Sequence, residues 1–207
     1  SVIIAYKFSL SLVIKFSIMK KPILFLALIF AITSAFAQKA TLKIDSKASS
    51  IKWVAKKVVG GHEGTINIKN GTLQTEKNKI TGGEFVIDMN SMLCTDAPKL
   101  TDHLKNEDFF NVPQYGTAKL VITKVDNSKA NPVITGNLTI KDKTKAISFP
   151  VKVTNATANG LEAEAIGIKI NRLDFDIKYR SASFFSDLGN RAIEDEFTLD
   201  VKIKAVR

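Results

Sequence analysis

Residues 197–204 read FTLDVKIK, a stretch in which every second residue is apolar. The apolar positions are Phe197, Leu199, Val201 and Ile203. Successive side chains of a β-strand point to opposite faces, so this pattern predicts a strand with one buried and one solvated face. Strands with one solvated face are typical of antiparallel sheets.

The same alternation recurs along the chain between short turn signals. It covers residues 51–55, 85–89, 134–140 and 147–153. Residues that favour turns separate such runs, namely Asn70-Gly71, Lys77-Asn78, Asp126-Asn127, Lys141-Asp142 and Asn159-Gly160. Roughly eight to nine short strands joined by close turns favour a barrel or a sandwich. We therefore predict an all-β fold, an antiparallel β-barrel of about eight strands.

Residues 96–112 depart from this pattern and predict a short helical segment. Asp96 is suited to the N-cap position, and Pro98 is tolerated in a first helical turn. Leu100 and Leu104 fall on one side of such a helix. We expect the segment to lie across one end of the barrel or to plug its mouth.

Residues 19–37 have the composition of a secretory signal peptide. Lys20 and Lys21 precede ten consecutive apolar residues, and the stretch ends in Ala-Phe-Ala. A membrane-spanning helix needs roughly 20 apolar residues, which is more than this run supplies. We predict cleavage after Ala37 and export, to the periplasm or into the medium.

The rest of the chain then divides into two segments. Residues 38–207 are predicted to form one barrel domain, with no stable membrane insertion after cleavage, since their length suffices for a closed barrel. Residues 1–18 are predicted to be an upstream extension. If they belong to the protein, their apolar run and that of residues 19–37 could together form an uncleaved anchor.

Charge and cysteine content exclude several classes of function. The chain carries a net charge of +10, of which the four lysines of residues 1–37 supply four. The remaining basic residues are interspersed with acids and lack interleaved aromatics, so no nucleic-acid partner is predicted. Cys94 is the only cysteine, so an internal disulfide is excluded and a partly buried free thiol is expected.

The charged residues of the last strand indicate which way the barrel faces. In a transmembrane barrel, Asp200, Lys202 and Lys204 would fill a narrow lumen, because the apolar side chains would face the lipid. The opposite arrangement, with an apolar interior and a charged exterior, is therefore favoured. An eight-stranded barrel is just wide enough to be filled by its own side chains or to hold one small ligand, and the pattern leaves both open.

Five pieces of sequence, taken in order, are similar to the YceI-like family. They are GHEGTI at 61–66, GGEFVIDMNSM at 82–92, HLKNEDFF at 103–110, GNLTIK at 136–141 and NRLDF at 171–175. Members of this family are lipocalin-like, usually exported antiparallel barrels that enclose an elongated apolar ligand. The resemblance implies that a polyisoprenoid or fatty-acyl lipid is bound, with no cofactor and no catalysis.

The resemblance and the predicted inward faces together give the candidate ligand-binding residues. These are Trp53, Phe85, Ile87, Phe109, Phe149, Phe175 and Arg172. The aromatic residues either fill the core or line the lumen. Arg172 either pairs with Asp174 at a corner or contacts a phosphate or carboxylate of the ligand through its planar donor fork.

Two other classes of function stay open at this point. One is an exported structural or protein-interaction barrel with a filled core and no ligand. For either kind of barrel, a homodimer stays open. The other is an enzyme, for which Cys94 with His103 is the one nucleophile–base candidate. No metal site is predicted, because His62 and His103 fall on different elements and no spacing matches a ligand set.

Overall fold

The computed structural model describes residues 39–207, so the predicted extension 1–18 and signal peptide 19–37 lie outside the described residues. Within residues 39–207 there are ten strands, β1 Lys39–Ile44, β2 Ser50–Lys57, β3 Gly61–Glu76, β4 Lys79–Cys94, β5 Thr117–Asp126, β6 Val133–Ile140, β7 Lys143–Pro150, β8 Lys152–Thr157, β9 Gly160–Asn171 and β10 Ile193–Val206. A short helix, α1, spans Leu100–Lys105, and 3-10 turns span Arg172–Phe175 and Gly189–Arg191.

The strands form one antiparallel sheet in the order β7-β6-β5-β4-β3-β1-β10-β9-β8. β1 and β2 together occupy one place in this order, between β3 and β10, because both strands pair with β3 and with β10. β7 and β8 share a second position, since β7 pairs with β6 and β8 pairs with β9. The strands thus occupy about eight positions around the sheet, which closes on itself where β7 passes into β8. This confirms the predicted antiparallel β-barrel.

One part of the barrel wall, which we call the seam, closes without a hydrogen-bonded ladder. The seam is the junction of β7 with the C-terminal half of β9 and the Arg172–Phe175 turn, which β7 contacts. Among the described strands, β7 pairs with β6 alone. Across the seam, the Lys145 Nζ atom lies 3.9 Å from the Asp174 Oδ1 atom.

The predicted turns are mostly hairpin connections, with one exception. Lys77 and Asn78 connect β3 to β4 with φ angles of 51° and 61°. Asn70-Gly71 is not a turn but lies inside β3, where the register with β4 shifts. A Cβ atom on Gly71 would lie 2.7 Å from the Glu84 carbonyl oxygen. The glycine therefore serves close strand contact at a bulge rather than chain reversal.

Residues 147–153, predicted as one strand, are interrupted at Val151. The Val151 N–H still donates to the Pro132 carbonyl at 2.9 Å, in register with the β6–β7 ladder, whereas from Lys152 onward the chain pairs with β9. Alternation continues through this break because Val151 is buried. A periodic pattern alone therefore does not reveal that the residues before Val151 pair with β6 and those after it with β9.

The helical segment is present, but its start differs from the prediction. The N-cap residue of α1 is Lys99, whose side chain makes no capping hydrogen bond. The Asp96 carboxylate instead accepts the Glu63 N–H at 3.1 Å, so it ties the segment to β3. Within residues 39–207, α1 and the 3-10 turns are all too short or too polar to cross a bilayer.

The interior of the barrel is apolar. The fully buried large side chains include Leu42, Leu73, Ile80, Leu161 and Ile170, which come from four strands, β1, β3, β4 and β9. Of the described residues, the buried ones that carry a polar or charged side chain are Thr75, Thr101, Arg172 and Ser181. Arg172 is thus a charge enclosed at the wall of an apolar interior.

Candidate functional site

Among the described residues, two apolar cavities lie inside the barrel. Cavity A has a volume of about 120 Å³ and cavity B of about 130 Å³. Ile51, Ile87, Leu138 and Leu199 line both cavities. The two spaces therefore adjoin and form one elongated lumen with an almost wholly apolar wall.

The alternation of β10 shows how the sequence builds this wall. Val201 and Ile203 line cavity A, Phe197 lines cavity B, and Leu199 lines both. The lysines between them do not line either cavity. An apolar cavity of this kind stays dry and accepts apolar guests, as an engineered cavity of about 150 Å³ does with benzene.

The helical segment closes one end of cavity B. Leu104, Phe109 and Phe110 all line this cavity. Behind them, the His103 ring packs edge-on against Phe109 and against Tyr179, with ring centroids 5.1 and 4.9 Å apart. The predicted position of the helical segment, across one end of the barrel, agrees with this arrangement.

The structure places six of the seven predicted ligand-binding residues on the lumen wall. Phe85 and Phe149 line cavity A, Trp53, Phe109 and Arg172 line cavity B, and Ile87 lines both. Phe175 lines neither cavity and is 1% exposed, so it packs in the core beside the lumen. The residues shared by both cavities, apart from Ile87, were not predicted, because alternation identifies inward faces but not where unfilled space lies.

Arg172 uses all five of its N–H donors within the protein. Its Nε donates to the Glu194 carbonyl at 3.0 Å, and its two terminal nitrogens reach three further carbonyls and one carboxylate. That carboxylate is Asp195, not Asp174 as predicted; Asp174 lies across the seam from Lys145. Burial lowers the pKa of Arg172, and the charge of Asp195 opposes this effect. The geometry favours the structural role for Arg172 over contact with a ligand headgroup.

Asp195 is held by a second set of contacts. It accepts a hydrogen bond from the Ser183 hydroxyl at 2.6 Å as well as from Arg172. Burial by itself raises the pKa of Asp195, but hydrogen bonds from Ser181 and Ser183 and the Arg172 charge outweigh it, so the pKa is lowered. The Arg172–Asp195 cluster therefore fixes the chain after β9 to the start of β10.

One polar atom near cavity B is unsatisfied. The Trp53 Nε1 atom is buried and has no hydrogen-bond partner among residues 39–207. The Trp53 ring packs so close to Gly64 that a Cβ atom there would lie 2.5 Å from Trp53 Cζ2. The indole thus contributes apolar area to the wall and occupies a space that only glycine leaves free.

Cys94 and His103 do not come together. The Cys94 thiol donates to Asp96 Oδ1 at 3.2 Å, whereas His103 Nε2 lies 3.0 Å from Asp108 Oδ2. Burial, followed by the hydrogen bond to Asp96, raises the pKa of the Cys94 thiol, which is the opposite of what a nucleophile needs. Neither residue lines a cavity of the lumen.

A different histidine lies beside Cys94. His62 Nδ1 is 3.1 Å from Asp96 Oδ2, so His62, Asp96 and Cys94 form one cluster. Sequence spacing does not reveal this cluster, because it depends on the pairing of Gly64 in β3 with Cys94 in β4. The cluster is separate from the lumen, since none of its members lines cavity A or cavity B.

The fold and the lumen together define a class of protein, the antiparallel barrels that surround an elongated apolar cavity. Residues 42–205 match the model of the YceI-like domain. The chain therefore belongs to the YceI-like domain family, as the sequence pieces predicted.

Two curated relatives are distant. The UPF0312 protein YE1254 of Yersinia enterocolitica is 24% identical over 180 residues, which cover 85% of this chain and 91% of that protein. The UPF0312 protein plu2095 of Photorhabdus laumondii is 24% identical over 110 residues, 53% of this chain and 56% of that protein.

Solved structures share the fold. BcnA of Burkholderia cenocepacia superposes with a TM-score of 0.62 at 20% identity, over 79% of this chain and 99% of that one. A polyisoprenoid binding domain from Saccharophagus degradans, implicated in plant cell wall breakdown, gives 0.58 at 14% identity, over 80% and 97%. The YCEI protein of Campylobacter jejuni gives 0.52 at 19% identity, over 63% and 74%. At these identities the likeness is one of fold.

Proposed function

We propose that this protein binds a long apolar lipid, a polyisoprenoid or a fatty-acyl chain, in the lumen formed by cavities A and B. The binding role is that of a carrier or store, without catalysis. The observation that carries the proposal is the pair of adjoining apolar cavities inside the barrel. The description of the Saccharophagus degradans neighbour as a polyisoprenoid binding domain supports it.

The energetics of burial suit an apolar tail. Transfer from water contributes roughly 25 cal/mol per Å² of apolar surface, so a tail that buries about 300 Å² gains roughly 7 kcal/mol before the cost of ordering it. Arg172 is the one cation on the lumen wall among the described residues, and its donors are already used. Selection therefore rests on the length and shape of the tail, and the polar end lies outside the lumen near α1.

The proposal includes export to the periplasm. It is supported by the signal-peptide composition of residues 19–37, with lysines before an apolar run and Ala-Phe-Ala at its end. A structural or protein-interaction barrel with a filled core is the competing function. The unfilled lumen argues against it, because such a role requires no apolar space inside the barrel.

Native mass spectrometry of residues 38–207, followed by solvent extraction and lipid analysis, tests the proposal. We expect a stoichiometric mass excess that extraction removes and that matches a prenyl or acyl lipid. Stripped protein should regain the excess when isoprenoids or fatty acids are added. A protein that is bare as purified and takes up neither class of lipid would support the competing interaction role.

A further inference from the structure

We propose that His62, Cys94 and Asp96 form a binding site for a thiol-seeking divalent cation of the Zn²⁺ type, outside the lumen. The Cys94 Sγ, a His62 ring nitrogen and an Asp96 carboxylate oxygen all lie within 4.8 Å of one another. They are a thiol, an imidazole and a carboxylate, the three side-chain types that bind zinc in proteins. The proposal is independent of lipid binding, because none of the three residues lines the lumen.

The fold brings these residues together at the end of the β3–β4 ladder. Gly64 pairs with Cys94, and the ladder continues past β4 because the Thr95 N–H donates to the Glu63 carbonyl at 2.9 Å. This pairing sets Asp96 beside His62. Cys94 is fixed from behind, since its N–H donates to the Thr101 hydroxyl at 3.0 Å.

The spacing of the ligand atoms matches one small cation. Zinc lies about 2.3 Å from a thiolate sulfur and about 2.0–2.2 Å from nitrogen or oxygen, so neighbouring ligands of a tetrahedral site are roughly 3.2–3.8 Å apart. The Cys94 Sγ lies 3.2 Å from Asp96 Oδ1, and His62 Nδ1 lies 3.1 Å from Asp96 Oδ2. The two distances run to different oxygens of one carboxylate, and all three ligand atoms lie within 4.8 Å of one another, so side-chain rotation would have to bring them to a common centre.

The cluster faces the protein surface, so a cation can reach it and a fourth ligand of the cation can come from solvent. His62 and Asp96 line a shallow open cleft together with Lys56, Gly60 and Glu63. The cleft leaves the outer side of the cluster to water, as in zinc sites that have three protein ligands and one exchangeable position. Lys56 and Glu63 carry opposite charges at its rim.

Protons and charges balance in the binding step. Hydrogen bonds to Asp96, first from the Glu63 N–H and then from Cys94, lower the Asp96 pKa to about 2, so this ligand is already ionised at neutral pH. The Cys94 thiol carries a proton, which the cation replaces: the S–H bond breaks, an S–metal bond forms, and one H⁺ leaves to solvent. His62 supplies a nitrogen lone pair. Thiolate and carboxylate then neutralise the two charges of the cation.

The second histidine offers a matched control. His103 Nε2 lies 3.0 Å from Asp108 Oδ2, so this pair has the same imidazole and carboxylate but no thiol. A cation that requires the sulfur ligand should not bind to the His103–Asp108 pair. The comparison of the two sites therefore separates thiolate-dependent binding from general binding to surface histidines.

The experiment is titration of metal-free protein, residues 38–207, with Co²⁺ and Zn²⁺. We expect one Co²⁺ per chain, a thiolate-to-cobalt charge-transfer absorption, displacement by Zn²⁺, and a calorimetric heat that changes between buffers because about one proton is released. Cys94→Ser should abolish the absorption, and His62→Ala should weaken binding at least about tenfold. His103→Ala should leave both unchanged.

Two results would overturn the proposal. One is wild-type protein that shows no thiolate absorption and retains no Zn²⁺ on dialysis. The other is binding that persists with equal affinity in Cys94→Ser and His62→Ala. If Cys94→Ser does not fold, His62→Ala decides the question, because the His62 side chain is partly exposed whereas Cys94 is buried.

Discussion

Arg172 and Asp195 form an ion pair across the wall of the lumen, with Nη2 3.2 Å from Oδ1. The Arg172 side chain is 5% exposed, and its remaining donors bind backbone carbonyls on both sides of the 177–193 connection. A buried charge is tolerated in such a place only when it is paired and fully hydrogen-bonded. The pair thus holds the connection between β9 and β10 against the wall of cavity B, which Arg172 lines.

Replacement of Arg172 should strongly destabilise the fold. Arg172→Met leaves one buried and three partly buried carbonyls and the Asp195 carboxylate without their donor, so we expect a loss of about 3–5 kcal/mol in the free energy of unfolding. Urea denaturation measures the loss. The exposed Arg191→Met in the same connection should change stability by less than about 0.5 kcal/mol. Equal effects of the two substitutions would contradict the structural role of Arg172.

Asp195 should make stability depend on pH in acid. Its pKa is lowered in the folded protein, so the unfolded chain takes up the proton first and the contribution of Asp195 is lost as pH falls. We expect Asp195→Asn to be less stable than wild type at neutral pH. The difference should be constant above the usual carboxyl range and should shrink as pH falls below about 4.

A second substitution checks the cause of this pH dependence. Ser183→Ala removes the hydroxyl that donates to Asp195 at 2.6 Å, so the Asp195 pKa should rise toward that of the unfolded chain. The loss of stability in acid should then be smaller and should end at a higher pH. Thermal melts over a pH series record both effects. An Asp195→Asn curve that runs parallel to wild type through the acid range would exclude this carboxylate as the source.

Gly64 should be intolerant of any side chain. A Cβ atom at this position would overlap the Leu93 carbonyl oxygen and lie 2.5 Å from the Trp53 ring. We expect Gly64→Ala to lower the free energy of unfolding by at least about 2 kcal/mol. Gly116→Ala is the control, because its Cβ would meet only the flexible end of Asn90 at 3.3 Å. Similar stabilities of the two variants would show that the Trp53 ring moves aside without a measurable loss of stability.

Filling the lumen should exclude the lipid without unfolding the barrel. Ala163 lines cavity A and Ala118 lines cavity B, so Leu at either position projects into empty apolar space. We expect each substitution to reduce lipid uptake at least about tenfold, with stability equal to wild type or higher by roughly 1 kcal/mol. Native mass spectrometry of protein with added lipid measures uptake.

The control for these variants is Ala146→Leu. Ala146 is exposed and pairs with the exposed Asn137 on the outer face of the sheet, so this substitution should leave lipid uptake unchanged. Uptake that is unaffected in both lumen variants would place the lipid elsewhere. Uptake that falls equally in all three would point to a general loss of folded protein.

The inward faces of the strands could be predicted from the sequence because alternation is a local property. Phe197, Leu199 and Ile203 line the lumen as their spacing indicates. The bulge next to Gly71 and the break at Val151 could not be predicted from the sequence, because each depends on contacts with another strand. Locally, Asn70-Gly71 is a strong turn signal; only pairing with β4 overrides it.

The candidate sites show the same division between local and long-range information. Trp53 and Phe85 were predicted to fill the core or to line the lumen, from their inward faces together with the family resemblance. That their neighbours leave space unfilled depends on side-chain volumes summed around the whole barrel. The partnership of Arg172 with Asp195 and that of Cys94 with His62 join residues more than twenty positions apart. No motif encodes such a contact, so only the strand register reveals it.

At the seam, the hydrogen-bonded pairing of strands around the barrel is interrupted. Among the described strands, separation of β7 from β9 breaks no ladder hydrogen bond, and the Lys145–Asp174 pair that spans the gap is half exposed and worth at most about 1 kcal/mol. The barrel wall can therefore widen more easily at the seam than between the strands that are joined by ladder hydrogen bonds. The volumes of cavities A and B are those of the closed wall, and we expect a thicker guest to be admitted by separation of β7 from β9.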